Sequence, residues 1–587
     1  MRSVIAAGGY TLFAVVVTYP LVWHLGTSLP GMPFGDQTQY LWCIDTFWTQ
    51  LLAGESPFHT DRVLYPVGAN LMHTGLAPFV SLFAWPIWTQ PVLYLGLAVP
   101  ASLVLAALGM RALVARLTGS VLAGTIAGCF YAFSPVVLSL TDSSHYYKVV
   151  SAALLPWGLD ALVAFLRAPR TRTIVALSVV TWSLVFTDYY ETVLFLVFVA
   201  VVGIPSLRRR HLPLVGAALA ANLALVFAAT RWVFPPLDTS DLMSGGATFW
   251  THSTINLADL FVPSSANPLL GALGRFAFDR PNGDVDSYYL GCGVLVLAVL
   301  AFGRQRPREM VPLAVAGLIL TMLACGTAVR AGTTVLLTEA KTPWFWLVQL
   351  PYLDILDLPR CFVLGTQLVL ATLAGTGLAR LLAVPGRRRL VLIGAATIFA
   401  LEYGQVGMRL YALTVPAVYH RLAALPDRTL LEVPSGVTES KMVFGYDLSR
   451  PSNNEQMYFQ TIHRKRRVGG YLSRIPRSTY RWFDSQPVIG DIFMLANPTW
   501  NAASWIWESR PRVTRLPDYP PEVVDRFIDV LDLGYVLVQP SSRQPLFAEN
   551  IDRLLAGRIA SRDVDPDGFV LYVLDRGGEV RIGRGAR

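Results

Sequence analysis

Residues Pro33 to Pro66 read PFGDQTQYLWCIDTFWTQLLAGESPFHTDRVLYP and follow directly on the first apolar run. The stretch opens with a carboxylate, Asp36, just outside that run. Tyr40, Ile44, Phe47, Trp48 and Leu51 then recur at helical spacing, with Asp45 and Gln50 off the stripe, and Gly54 ends the pattern. The segment is too polar to cross a bilayer and too aromatic to float in water. It reads as an amphipathic helix lying in the membrane interface, with Asp36 at its head.

The whole chain agrees with a membrane setting. Its 587 residues are 53% hydrophobic and 15% charged, the balance of a polytopic membrane protein. The net charge of +9 does not point to nucleic acid, because the arginines sit in short clusters between apolar runs. Five scattered cysteines give neither a disulfide framework nor zinc-ligand spacing. The first apolar run lacks a small-residue cleavage site and reads as a retained helix.

About eleven spans are expected, over 5–23, 92–114, 121–140, 149–166, 173–187, 189–204, 214–234, 288–302, 310–328, 362–382 and 390–408. Residues 76–88, broken by Pro78 and Pro86, read as a re-entrant or interfacial piece. A cytoplasmic N-terminus puts the clusters around Arg116, Arg167, Arg209, Arg306 and Arg388 all on the cytoplasmic side. Outer loops then cover 24–75, 141–148 and 235–287. The expected fold is a polytopic α-helical membrane domain over 1–410 with a C-terminal extracytoplasmic α/β domain over 411–587. Thr429–Val433, Tyr535–Val538 and Phe569–Val573 read as buried strands, and Pro520–Leu531 as a helix.

Candidate chemistry therefore gathers on the outer face. Asp36 suits a general base, or simply an N-cap for the helix it precedes. His145 and Lys148, beside Asp142, suit a phosphate or sugar hydroxyl, or an ordinary polar turn with interfacial tyrosines. Asp188 and Glu191 flank Tyr189 and Tyr190 near headgroup depth, where ionisable groups are costly and usually functional. Arg360 suits a phosphate clamp or a headgroup anchor. The basic segment from Gln460 to Arg474, with His463 inside it, suits an anionic headgroup or glycan, or a solvated face. Trp48, Trp250, Trp344, Trp346, Trp482, Trp500, Trp505 and Trp507 suit stacking on sugars, or an interfacial belt. There is no Walker A, GxSxG or HExxH motif.

An acidic first outer loop, Gly35-Asp36-Gln-Thr-Gln-Tyr40, followed by an interfacial helix resembles the GT-C superfamily of membrane glycosyltransferases. The chain is similar to a bacterial group within it in Tyr65-Pro-Val-Gly-Ala-Asn70, the His145-Tyr-Tyr loop before Leu-Pro-Trp157, and Asp188-Tyr-Tyr190. Leu260-Phe-Val-Pro-Ser264, Leu358-Pro-Arg360 and Gly470-Tyr-Leu-Ser-Arg474 extend the likeness. Each motif is short; their order and spacing carry it. The first loop lacks an adjacent Asp-Glu pair, and Asp284-Val-Asp286 lies in a different loop, so dependence on a divalent metal stays open.

The resemblance implies transfer of a sugar from a polyprenyl-phosphate donor to a glycan, lipid or protein acceptor on the outer face of the plasma membrane. Asp36 would deprotonate the acceptor, while His145, Lys148 and Arg360 would hold the donor phosphate. Asp188, Tyr189, Glu191, Tyr40, His463 and Arg474 would contact sugar or acceptor. A lipid-linked-sugar flippase and a non-catalytic assembly factor for envelope glycans stay open as alternatives. A flippase would carry charges deep within several spans, whereas the charges here sit at the outer ends.

Overall fold

The computed structural model describes residues 2–575 apart from 33–35, 143–144, 233–240, 243–253, 279–286, 304–305, 351, 440–441, 446–450 and 498–512. Trp250, Trp500, Trp505, Trp507 and the Asp284–Asp286 motif lie outside the described residues, as does the side chain of Asp142. The chain forms two compact units. The first comprises Met1–Gln37, Ala77–Arg231 and Ser244–Ala412; the second comprises Thr38–Leu76, Trp232–Met243 and Leu413–Arg587.

The first unit is a helical bundle. Among the described residues, five helices are long and apolar enough to cross a membrane: Pro91–Thr118, Tyr146–Arg167, Tyr189–Ser206, Arg209–Ala229 and Pro359–Leu382. The pair Val121–Ala132 and Pro135–Thr141, bent by 46°, makes a sixth if it is one span. Ser3–Val17, Thr171–Val185, Cys292–Phe302 and Met310–Ala324 are apolar but shorter. Several runs that read as full spans thus fold as helices under the usual crossing length.

Local chemistry sets the helix ends. The Pro91–Thr118 helix stops at Gly119, whose φ of 74° lets its N–H cap the Ala115 carbonyl. Ser120 then caps the next helix through the Ala123 N–H. Close helix approach depends on missing side chains: a Cβ on Gly128 would stand 2.7 Å from the Ala107 carbonyl, and one on Gly158 2.7 Å from the Phe195 ring. Pro359–Leu382 and Tyr146–Arg167 occupy the bundle centre, whereas Arg209–Ala229 exposes its apolar surface.

Charge gathers at one end of this bundle. Arg116 grips Asp160 through two bonds of 2.6 and 2.9 Å. Arg167 grips Glu309 at 2.9 and 3.1 Å and also donates to the Arg116 carbonyl at 2.6 Å. Lys148 lies near the opposite end of the same Tyr146–Arg167 helix, about 30 Å away at 1.5 Å per residue. The broken piece at 76–88 forms a short helix, Pro78–Phe83, and a turn at Trp85–Ile87, with Leu82, Phe83 and Trp85 exposed.

The second unit is α/β. A four-stranded sheet runs in the order Ile559–Val564, Val570–Leu574, Leu533–Val538, Thr429–Val433. Its first two pairings are antiparallel and the last is parallel. The stretches read as strands are strands, because their unbroken β-branched and aromatic runs are buried. Val418, Tyr419, Leu430, Phe459, Leu537 and Phe569 share its core.

The Gln37–Leu52 helix differs from its expected place. Reading 24–75 as an outer loop of the membrane domain leaves this helix lying against lipid. Its segment instead belongs to the second unit. Trp42 donates to Gln460 at 2.6 Å, and Asp45 pairs with Arg464 at 2.5 Å and Arg62 at 3.4 Å. Tyr40, Phe47 and Trp48 are buried. An amphipathic stripe marks an apolar neighbour without saying whether it is lipid or protein.

Candidate functional site

In the first unit, one small cavity of about 40 Å³ is lined by His145, Lys148 and Arg360, together with Ser139, Tyr288 and Cys361. His145 precedes the first turn of the Tyr146–Arg167 helix, and Lys148 lies inside that turn. Arg360 stands at the head of the long Pro359–Leu382 helix, where Pro359 occupies the first turn. The carboxylate of Asp36 lies 4.0 Å from His145 Nε2. That separation permits charge pairing and is too long for a direct hydrogen bond. Four residues from three distant parts of the sequence thus converge.

Lys148 has a different setting from the one expected of a phosphate ligand. Its ammonium is buried, 2.9 Å from Asp188 and 3.6 Å from Glu191. It also lies 4.4 Å from the centre of the Tyr190 ring. Asp188 in turn caps its own helix through the Tyr190 N–H at 2.7 Å. Asp188 and Glu191 are both buried and flank this ammonium. A carboxylate pair three residues apart across a helix start is legible as functional; its buried partner is not.

Tyr190, unassigned by the sequence reading, links this cluster to the cavity wall. Its hydroxyl accepts the backbone N–H of buried Asp357 at 2.8 Å. Asp357 lies three residues before Arg360. The Asp188-Tyr-Tyr190 motif is the signal that marked it. Tyr189 donates from its hydroxyl to the Tyr352 carbonyl and tethers the same loop.

The candidates of the second unit serve that unit's interior. His463 is buried and stacks on Tyr419 at 5.8 Å between ring centres. Burial, then the nearby Arg467, Lys465, Arg62 and Arg464 charges, hold its pKa well below the usual histidine value. Tyr40 is buried beside Gly75, where a Cβ would come 2.8 Å from its ring. Arg474 is half-buried and donates to the Ser473 carbonyl at 2.5 Å.

The basic run is likewise paired within the second unit, with Lys465 and Arg467 buried, Arg466 half-buried and Arg464 exposed. Arg464 pairs with Asp45 at 2.5 Å, Arg466 with Asp532 at 2.8 Å, and Arg467 with Glu432 at 2.5 Å. Lys465 donates to the Leu425 carbonyl at 2.6 Å. A headgroup-binding face would leave these cations to solvent; here each has an internal acceptor. Among the tryptophans, Trp48 and Trp344 are buried, Trp482 is half-buried, and Trp346 is exposed.

Among the described residues, no group of three or more His, Cys, Asp or Glu side chains is arranged to hold a metal ion.

Residues 6–350 match a family model described as a domain of unknown function, DUF6311. The chain belongs to this family. No curated protein matches it in sequence. Among solved structures, this DUF6311 chain resembles the mycobacterial arabinofuranosyltransferase AftD, with a TM-score of 0.53 at 14% identity, covering 97% of this chain and 39% of AftD. A mutant form of AftD gives 0.55 at 15% identity, with 97% and 41% covered. ArnT from Cupriavidus metallidurans bound to undecaprenyl phosphate gives 0.48 at 12% identity, with 98% of each chain covered. The DUF6311 chain spans about two fifths of the length of AftD. The likeness to AftD is one of fold.

Proposed function

We propose that this DUF6311 protein is a membrane glycosyltransferase that takes a sugar from a polyprenyl-phosphate donor and passes it to a hydroxyl-bearing glycan, lipid or protein acceptor. The observation that carries the reading is that Asp36 lies 4.0 Å from His145, which lines one cavity together with Arg360, in a chain whose fold resembles that of AftD. AftD, which shares the fold, is named as an arabinofuranosyltransferase.

The acceptor oxygen attacks the anomeric carbon, and the bond from that carbon to the donor phosphate oxygen breaks. The phosphate leaves with the bonding pair, and Asp36 takes the acceptor proton. Arg360 faces the charge that grows on the leaving phosphate, and His145 orients Asp36 or shares that charge. Lys148, Asp188 and Glu191 fix the wall, a positioning role. With the shorter apolar helices and the Arg388–Tyr403 helix completing the membrane layer to about eleven spans, the site lies on the extracytoplasmic side of the plasma membrane. The N-terminus is then cytoplasmic, and the C-terminal α/β unit lies outside.

The test is turnover of a radiolabelled polyprenyl-phosphate sugar by protein in lipid, wild type beside Asp36→Asn. Release of label by wild type, with at least a hundredfold loss in a variant that still folds and binds donor, is the expected result. Equal release by both removes Asp36 from the chemistry. Donor binding without release by either overturns the transferase reading.

A further inference from the structure

A second and larger cavity, of about 530 Å³, opens in the first unit beside the small one; Ser139 lines both. Its walls come from Tyr19 and Pro20, from Ser264 and Ser265 in the Leu260–Ser264 motif region, and from Gln405 to Arg409. The size lies in the usual range for ligand sites, about 300–1,000 Å³.

The walls are held in place. The Met408 N–H donates to the Tyr19 carbonyl at 2.8 Å, and the Gly31 N–H to the Arg409 carbonyl at 2.9 Å. The strands Ser28–Pro30 and Leu410–Ala412 then pair antiparallel directly below. Gly407, with φ of 83°, makes the turn; a Cβ there would stand 3.2 Å from the Tyr19 carbonyl. These bonds join residues almost 400 positions apart in sequence, and they shape the cavity rather than a helix contact.

The lining has a defined chemistry. Ser139, Ser264, Ser265 and Gln405 offer hydroxyls and an amide, and Tyr19 offers a ring face that is about half exposed. Arg409, whose Nη1 lies 3.4 Å from Met32 Sδ, supplies the cation, and among the described residues no carboxylate lines the cavity. Ser139 and Ser264 already use one bond each internally, Ser139 donating to the Val136 carbonyl and Ser264 accepting from the Ala266 N–H. Such a surface suits a polyol that also carries negative charge. An uncharged sugar would gain only hydrogen bonds to a neutral hydroxyl from the guanidinium, an acidic group a stronger charge-assisted pair, and a cation would be repelled.

We propose that this cavity binds an anionic oligosaccharide of about two or three rings, with Arg409 on the acidic group and Tyr19 stacked on a ring. On the transferase reading above, this ligand is the acceptor, and Ser139 marks where its reacting hydroxyl meets the small cavity. Binding itself does not require that reading, so the test uses binding alone.

Wild type in nanodiscs of phosphatidylcholine is titrated calorimetrically with trigalacturonate and with uncharged maltotriose. Arg409→Ala, Arg409→Glu and Arg360→Ala are run beside it, each checked for an unchanged melting temperature. The expected result is binding of trigalacturonate at least tenfold tighter than maltotriose. Arg409→Ala should weaken it at least tenfold, Arg409→Glu should abolish it, and Arg360→Ala should leave it within threefold. No binding by wild type, equal affinity for the two sugars, or a loss confined to Arg360→Ala overturns the proposal. Binding that disappears in phosphatidylglycerol nanodiscs assigns the cavity to lipid headgroups and overturns it too. Donor turnover stands apart from all these arms, so an inactive enzyme that binds trigalacturonate as described refutes the transferase reading and leaves this one standing.

Discussion

Replacing Lys148 by methionine should destabilise the membrane unit sharply, and the buried cluster around it supplies the magnitude. The ammonium is 2% exposed and lies 2.9 Å from Asp188 and 3.6 Å from Glu191, which are themselves buried. Removing one partner of a buried ion pair strands an uncompensated charge and costs about 3–5 kcal/mol. Here the Asp188 and Glu191 pair would lose its one ammonium, so a cost within that range applies. Neutralising the whole cluster, as in Lys148→Met with Asp188→Asn and Glu191→Gln, removes the stranded charge. The triple variant should then be about 2–3 kcal/mol more stable than Lys148→Met alone. The assay is equilibrium or kinetic unfolding of the four relevant variants in one detergent, with donor affinity measured on each that folds. A Lys148→Met protein as stable as wild type but with donor affinity reduced at least tenfold would refute the reasoning. It would mean that the ammonium is held for the donor phosphate and not by Asp188 and Glu191. A triple variant worse than the sum of its single changes would refute it equally.

Other consequences follow from the same geometry. Tyr190→Phe leaves the buried Asp357 N–H without its 2.8 Å acceptor, so it should cost about 1–3 kcal/mol and lower kcat several-fold by loosening the approach to Arg360. Denaturation midpoints and steady-state rates on the same preparation check both. Arg360→Ala should raise the donor Kd at least tenfold, the worth of a charge-assisted bond of about 1.5–3 kcal/mol, while leaving stability nearly unchanged; donor titration measures it. His463 is held neutral by burial and by neighbouring cations, with its pKa well below 6.5. The unfolded chain therefore binds the extra proton first: His463's contribution is complete above about pH 6.5 and declines as pH falls below it. His463→Gln should flatten the loss of stability of the second unit on the acid side, read from melting curves between pH 7 and pH 5.

The sequence went furthest where one physical requirement dominates a segment. Apolar length marked the central helices, and β-branched runs marked the Thr429–Val433 and Leu533–Val538 strands. His145 and Arg360 stood out as candidates because, on the expected topology, cations at the outer ends of apolar runs are rare under the positive-inside bias. Their common cavity was not legible, since it joins helices more than 200 residues apart in the chain. The pairing of Asp188 and Glu191 with Lys148 was not legible for a related reason. A carboxylate at headgroup depth signals that something must balance it, but sequence does not say whether that is a substrate or Lys148.

By itself the sequence determined what must leave water: how many residues lie in apolar helices, which loops carry arginine, and which stretches become strands. These follow from local hydropathy and hydrogen-bonding need, which each segment satisfies largely alone. The tertiary structure alone decided which polar groups meet. The stripe on the Gln37–Leu52 helix faces protein because Asp45 finds Arg464 and Trp42 finds Gln460, 419 and 418 positions away. Arg467 is buried against Glu432 for the same reason. A buried charge is stable only beside a specific partner, and partners so distant in sequence are chosen by the fold.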